Sequence, residues 1–165
     1  MTLKKNRRIL LISPNLKGMA EGLNRIQPPL GLMISSSVIR NNGYEVKIHD
    51  CALEGWSNRV QLNDSMVMIG QTNEELASLI AEFSPSIIGI SALFSNLMES
   101  AHNIAAITKK VNQETIVILG GNHISATIRD YRFAKFQKDP FFPAQITDLE
   151  DENIDFAMHG EVDFE

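Results

Sequence analysis

The chain has 165 residues, 44% hydrophobic, 21% charged and 7% aromatic; this is ordinary composition for a single globular domain and excludes long disordered tracts and a collagen-like or coiled-coil rod. Its 20 acidic against 15 basic residues leave a net charge of −5, which argues against a broad face that reads a nucleic-acid backbone. The single cysteine, Cys51, excludes an intrachain disulfide framework and any metal or iron–sulfur site built from several cysteines of this chain.

Lys4, Lys5, Arg7 and Arg8 lead into Ile9-Leu10-Leu11-Ile12, which stops at Ser13-Pro14. The run is too short for a signal peptide or a membrane span, so the expectation is a soluble cytoplasmic protein with a first strand at Ile9–Ile12. Gln27-Pro28-Pro29-Leu30-Gly31 follows a glycine-containing loop, and prolines suit the opening turn of a helix. Leu30, Met33, Ile34, Val38 and Ile39 recur at helical spacing up to the stop signal Asn41-Asn42-Gly43. Tyr44–Ile48 alternates as a half-exposed strand does. Residues 51–71, with Gly55 and Trp56, read as irregular. Thr72 begins a capping-box pattern with Glu75, and Leu76, Leu79, Ile80 and Phe83 form one stripe that Pro85 ends. Ile87–Ile90 reads as a strand, about Leu97–Val111 as a helix with Ile104, Ile107 and Val111 inward, and Ile116–Leu119 as a strand. A further helix starts after Gly121. Residues 132–153, with Phe133, Phe136, Phe141 and Phe142, Pro140 and Pro143 and the acidic run Asp148–Glu152, read as an irregular insertion before a last strand at Ile154–Met158.

The first, third and fourth of these runs are apolar and β-branched throughout, as strands buried on both faces of a parallel sheet are. The alternation predicts an α/β fold: a Rossmann-like (flavodoxin-like) doubly wound sheet of about five parallel strands in three layers. Such sheets bind ligands outside the carboxyl ends of their strands. Those ends carry Ser13-Pro14-Asn15, Asp50-Cys51-Ala52-Leu53-Glu54-Gly55, Ser91-Ala92-Leu93, Gly120-Gly121-Asn122-His123 and Gly160-Glu161. Each alone is ordinary loop chemistry; five at one edge mark a site. The same positions exclude other tenants of the fold. There is no acidic pair for a phosphorylated receiver, no Gly-x-Gly-x-x-Gly dinucleotide turn, no Ser/Thr-rich flavin phosphate loop and no Gly-x-Ser-x-Gly elbow.

Asp50-x-Ala52-x-x-Gly55, Ser91-x-Leu93 and Gly120-Gly121 resemble, in order and spacing, the Asp-x-His-x-x-Gly, Ser-x-Leu and Gly-Gly motifs of the cobalamin-binding domain of methionine synthase and the mutases. Pro28-Pro29-Leu30-Gly31, Gly43-Tyr44-Glu45-Val46 and Ile154-Asp155-Phe156 with Gly160-Glu161 resemble a narrower group, the amino-terminal domain of cobalamin-dependent (class B) radical SAM enzymes. The resemblance implies a corrinoid over the carboxyl edge, its nucleotide tail directed toward Ser91 and Gly120-Gly121. The implied cofactor-binding residues are Pro28, Pro29, Leu30, Gly31, Asp50, Cys51, Ala52, Gly55, Ser91, Leu93, Gly120, Gly121, Asn122, His123, Gly160 and Glu161. Ala52 stands where the wider family has its axial histidine, so the tail is expected displaced (base-off) and the lower face left to water, to nothing or to another residue. His49 precedes Asp50 on a strand and points to the opposite side. Cys51 is nearer, although a small buried Cys is the commoner role. His123 is placed to bond a corrin amide or the tail, His159 to line the site, and His102 to pack at the surface.

The Cys-x-x-x-Cys-x-x-Cys loop that holds a four-iron four-sulfur cluster in radical SAM enzymes has no counterpart in a chain with one cysteine. The resemblance therefore implies that 1–165 is the cobalamin-binding portion of a longer enzyme. S-adenosylmethionine, the cluster and catalysis would belong to a carboxyl-terminal radical SAM barrel, its partner here. The reaction implied is methyl transfer or a related radical rearrangement; no membrane or nucleic-acid partner is implied. The other reading is a cofactor-free scaffold or interaction domain whose strand-end residues only build loops. The colour of the protein after exposure to hydroxocobalamin separates the two.

Overall fold

The computed structural model describes residues 7–137 and 146–160. The chain runs β1 (Arg8–Ser13), β2 (Leu16–Met19), α1 (Leu30–Asn41), β3 (Glu45–Asp50), α2 (Cys51–Glu54), β4 (Arg59–Gln61), β5 (Met66–Ile69), α3 (Asn73–Phe83), β6 (Ile87–Ser91), α4 (Met98–Val111), β7 (Ile116–Gly120), α5 (Asn122–Gln137) and β8 (Phe156–Ala157), with 3-10 turns at Ser95–Leu97 and Ile146–Leu149. The main sheet has the order β3-β1-β6-β7-β8, and every pairing in it is parallel. This is the expected flavodoxin-like α/β fold. The order reverses between β1 and β6, which is the switch point where such sheets open a crevice.

The two faces of the sheet are covered unequally. On one, Leu10, Ile12, Ile88, Ile90, Val117 and Leu119 pack against Leu76 and Ile80 of α3, Ala101, Ile104 and Ala105 of α4, and Ile124 of α5 in a single buried core. On the other, only Ile9, Leu11 and Val46 are buried against Leu32 of α1. A fully buried Ile or Leu contributes about 1.5–3 kcal/mol, so the first face carries most of the stability. The expectation that β6 and β7 are buried on both faces is corrected accordingly: Ile87, Gly89, Ser91, Ile118 and Gly120 are each only half-buried. In the described residues α1 is the only helix on that side, and it lies over β1 and β3.

Local chemistry explains most of the elements. Both bonds of the predicted capping box start α3: the Thr72 hydroxyl accepts from Glu75 N–H, and Thr72 N–H donates to the Glu75 carboxylate. In α1 the apolar residues do not all face inward. Leu32 and Ser36 are its buried positions, while Leu30, Met33 and Ile34 are exposed. Val111 of α4 is also exposed rather than inward. Residues 51–71 are not irregular: β2, β5 and β4 form a small antiparallel sheet whose Asn63 side chain accepts from Ser65 N–H and Met66 N–H at the β4–β5 turn. The segment expected to be irregular from 132 continues α5 to Gln137 and later forms the 146–149 turn; Phe141, Phe142, Pro140 and Pro143 lie outside the described residues.

The last strand is two residues long, not five, and a side chain holds it. Asp155 Oδ2 accepts from Val117 N–H and from Lys109 Nζ, both at 2.7 Å, and Lys109 Nζ also donates to Thr115 O at 2.9 Å. Burial raises the Asp155 pKa, but the Lys109 hydrogen bond, the Val117 N–H and the Lys109 charge outweigh it and hold the carboxyl below its usual range. The stabilisation is therefore present above the usual carboxylate range and is lost as pH falls through the depressed value. Asp155→Asn is expected to lower stability near neutrality by about 1 kcal/mol, discounted for partial exposure. In urea unfolding across pH, the gap between wild type and variant should close in acid; a gap independent of pH would contradict this role.

Candidate functional site

The half-bare face forms a groove of about 720 Å³, within the ~300–1,000 Å³ usual for small-molecule sites. Its floor is Ile9 and Leu11 of β1, Ile87 and Gly89 of β6, and Ile118 of β7. One wall is α1, through Gly31, Leu32, Ile34, Ser35 and Ile39; Met158 and Gly160 stand on the far side. Ser91, Leu93, Gly120, Gly121, Asn122 and Ser125 surround the end at the carboxyl edge. The floor is apolar and the mouth carries hydroxyl, amide and exposed backbone groups. An elongated ligand with an apolar body and a polar end would meet matching chemistry along this length.

The glycines divide into two kinds. Gly121 has φ +110°, and a Cβ there would stand 2.5 Å from Ala92 O and 2.7 Å from Ala92 C. Ala92 N–H donates to Gly120 O and His123 N–H to Ala92 O, so the chain is pressed together at this point. Gly55 is similarly confined, its Cβ position only 2.1 Å from Gly70 C. These are demands of the backbone. Gly31 and Gly120 have no such demand. Neither has a positive φ. A Cβ on Gly31 meets nothing within 4 Å, and one on Gly120 lies at an ordinary 3.7 Å from Met158 Cβ. Both line the groove, and what their missing side chains leave is open volume inside it.

The structure thus brings Gly31, Ser91, Leu93, Gly120, Gly121, Asn122 and Gly160 together at one groove. It does not bring the others there. Pro28 and Pro29 form the approach to α1, Pro29 being its N-cap residue, and Leu30 is its exposed first residue. Asp50, Cys51, Ala52 and Gly55 belong to the end of β3 and to α2. Asp50 Oδ1 accepts from Ala52 N–H and Leu53 N–H at 3.1 Å, so this carboxylate is the N-cap of α2. Ala52 is 4% exposed and does not line the groove. Cys51 is buried in the main core. Burial, with the neighbouring Asp50 charge, pushes its thiol up to about 12, and its place in the core keeps it from the groove. His123 turns away to Asp148, with Nε2 to Oδ2 at 2.9 Å. His49 is buried against the Gln71 side chain. His159 lies between two lining residues without lining the groove, and Glu161 is outside the described residues. Floor residues Ile9, Leu11, Ile87, Gly89 and Ile118 escaped the sequence reading. Gly89, a lone glycine inside a strand, was the available signal for them.

The small sheet is clamped at the carboxyl ends of β1 and β3. Asn15 donates from Nδ2 to Gln71 O at 2.9 Å and accepts Gln71 N–H on Oδ1 at 3.0 Å; Asn15 N–H donates to Ser100 Oγ at 3.0 Å. Gln71 N–H also reaches Cys51 O at 3.1 Å, which ties α2 to the same clamp.

Gly121→Ala is expected to lose about 1–3 kcal/mol from strain and crowding, whereas Gly31→Ala and Gly120→Ala should unfold at or near the wild-type temperature. Loss of stability in all three, or in none, would contradict the division. Cys51 should resist alkylation in the native protein and react at a rate that follows unfolding; rapid native labelling would contradict its burial.

Residues 17–139 match the B12-binding domain family. The chain is 29% identical over 160 residues to a cytidylyl-2-hydroxyethylphosphonate methyltransferase of Streptomyces wedmorensis, a match covering 96% of this chain and 27% of that protein. It is 29% identical over 119 residues to an uncharacterized methyltransferase of Pyrococcus horikoshii, covering 72% of this chain and 22% of that one. It therefore spans about a quarter of the length of these curated relatives. A cobalamin-binding protein from Desulfitobacterium hafniense shares the fold, with a TM-score of 0.51 at 15% identity over 93% of this chain and 53% of that one. Fold and sequence agree, and the chain belongs to the B12-binding domain family, whose membership implies cobalamin as the ligand.

Proposed function

We propose that the chain holds cobalamin base-off, with the nucleotide tail in the groove between α1 and β6–β7 and the corrin over the carboxyl edge. The observation that carries this reading is the pair Gly31 and Gly120, whose missing side chains leave volume inside the groove that neither backbone geometry nor packing requires. The apolar floor and the polar mouth at Ser91 and Asn122 fit a group with an apolar body and a polar end.

On this reading neither His49 nor His123 replaces the displaced tail. Position 52 is an alanine closed off in α2, and Cys51 is buried in the core. His49 is engaged by Gln71, and His123 by Asp148. Bound cobalamin supplies a transferable methyl group. This chain's own residues seat the cofactor, exclude water from the groove floor and leave the opposite side of the corrin open.

Both curated relatives are named methyltransferases and are more than three times as long as this chain. We therefore assign methyl transfer to the longer polypeptide. The acceptor site, S-adenosylmethionine and the iron–sulfur cluster are placed in a radical SAM domain outside residues 1–165, since one cysteine cannot hold such a cluster.

The test is to mix the protein with hydroxocobalamin, remove free ligand and record the visible spectrum. The expected result is a coloured protein with a base-off spectrum, unchanged in His49→Gln and His123→Gln. Gly120→Val should stay folded, since valine suits a strand, and lose the colour. A colourless wild type would support the cofactor-free scaffold instead. A histidine-ligated spectrum abolished by either His variant would overturn the unligated lower face.

A further inference from the structure

We propose that His102, His123, Asp148 and Asp151 form a proton-operated latch that pins residues 146–153 to α4 and α5, closed when His102 carries both ring protons and loosened when it loses one. The latch lies outside the groove and does not depend on what the groove binds.

The observation behind it is a mismatch between donors and acceptors. His102 on α4 presents Nδ1 to Asp151 Oδ2 at 2.6 Å and Nε2 to Asp148 Oδ1 at 3.3 Å. A neutral imidazole has one N–H, so its other nitrogen would set a lone pair against a carboxylate oxygen. Only the imidazolium donates at both ends. Asp148 is shared, because its Oδ2 also takes His123 Nε2 from α5 at 2.9 Å. One carboxylate on the 146–149 turn thus bridges two helices, and the second carboxylate, Asp151, holds the residues that follow.

Asp151 does not supply the missing proton. Its Oδ1 accepts from Asn153 N–H and Asn153 Nδ2, both at 2.9 Å. Burial raises its pKa, but these bonds and the one from His102 hold the carboxyl below its ordinary range. Of the other charges on these elements, Glu150 and Glu152 of the segment itself, Lys110 of α4 and Arg132 and Lys135 of α5 are exposed to water, and the rest are paired. On α4, Glu99 meets Lys17 and Lys109 meets Asp155; on α5, Arg129 meets Asp130. Among the described residues no group of three or more His, Cys, Asp and Glu is arranged to hold a metal ion. The four side chains of the latch are between 12% and 28% exposed, which limits screening of their charges.

The latch reaches the groove through the backbone. Ile154 N–H donates to Asp151 O, Asp155 N–H to Val117 O and Met158 N–H to Leu119 O. Met158 and Gly160 then form the far wall of the groove. His123 follows Asn122 at its mouth. Loss of the His102 proton would therefore loosen the segment that carries this wall.

The test uses the ligand-free chain with ¹⁵N-labelled histidine, from about pH 5.5 to 8.5, a range that brackets ordinary imidazole titration. Nitrogen-15 shifts should show His102 doubly protonated at the acid end and singly protonated at the alkaline end. Exchange protection of the Ile154, Asp155 and Met158 amides, corrected for intrinsic rates, should fall about tenfold over the same transition, as expected for loss of one charge-assisted hydrogen bond. In His102→Gln that pH dependence should vanish while the rest of the amide spectrum is retained. A His102 whose protonation does not change across the range, or protection with the same pH profile in wild type and His102→Gln, would overturn the proposal. Should the variant fail to fold, the wild-type histidine shifts decide alone.

Discussion

A parallel sheet has two apolar faces, and each must be kept from water. Among the described residues that requirement is met fully on one face and only in part on the other. α3, α4 and α5 close the first face around Leu10, Ile88, Ile90, Val117 and Leu119. On the second, α1 covers β1 and β3 and leaves the β6–β7 side half-bare. The well-packed face anchors β1, β6 and β7, whereas β3 is held by Val46 on the second face and by its ladder with β1. The second face is thereby free to carry small residues and open volume where a core would otherwise demand isoleucine and leucine.

The carboxyl edge is divided in the same way. Over β1 and β3 it is built up by α2 and the three-stranded sheet, and the Asn15–Gln71 pairing fastens both in place. Over β6 and β7 it stays low, formed by Ser91, the Gly120-Gly121 pair and the start of α5. The residues that resemble an axial-ligand motif fall on the built-up half. There Asp50 caps a helix, Ala52 is shut in and Cys51 joins the core. The residues that leave space fall on the low half. On the proposed reading, seating the cofactor falls to the low half of this edge, and the residues that resemble the axial-ligand motif are occupied in structure on the other half.

Much of the fold was legible in the sequence because its signals are local. Ile9–Ile12 and Ile116–Leu119 are continuous apolar runs, Thr72 and Glu75 form a capping box three residues apart, and the strand-end glycines punctuate the order. The small sheet was not legible: Leu16–Met19 pairs with Met66–Ile69 across some fifty residues, and no local pattern announces a contact made at that distance. Helix α1 misled for another reason. Its apolar residues at helical spacing look like a core stripe, yet Leu30, Met33 and Ile34 are exposed and Ile34 lines the groove. Periodicity records which side chains are apolar, not whether protein or ligand covers them. Likewise Gly120 and Gly121 are adjacent and identical in sequence, and only the backbone separates the one that must be glycine from the one whose absent side chain leaves room.

The central claim is that the ligand occupies the groove between α1 and β6–β7. Amide chemical shifts recorded on ¹⁵N-labelled protein during titration with hydroxocobalamin test it most directly. The account predicts that the perturbations concentrate at Gly31, Gly89, Ser91 and Gly120 on the groove and leave the opposite face, at Ile80 and Ile104, unmoved. Binding that perturbs the α3–α4 face while Gly31, Gly89 and Gly120 stay unchanged would contradict it.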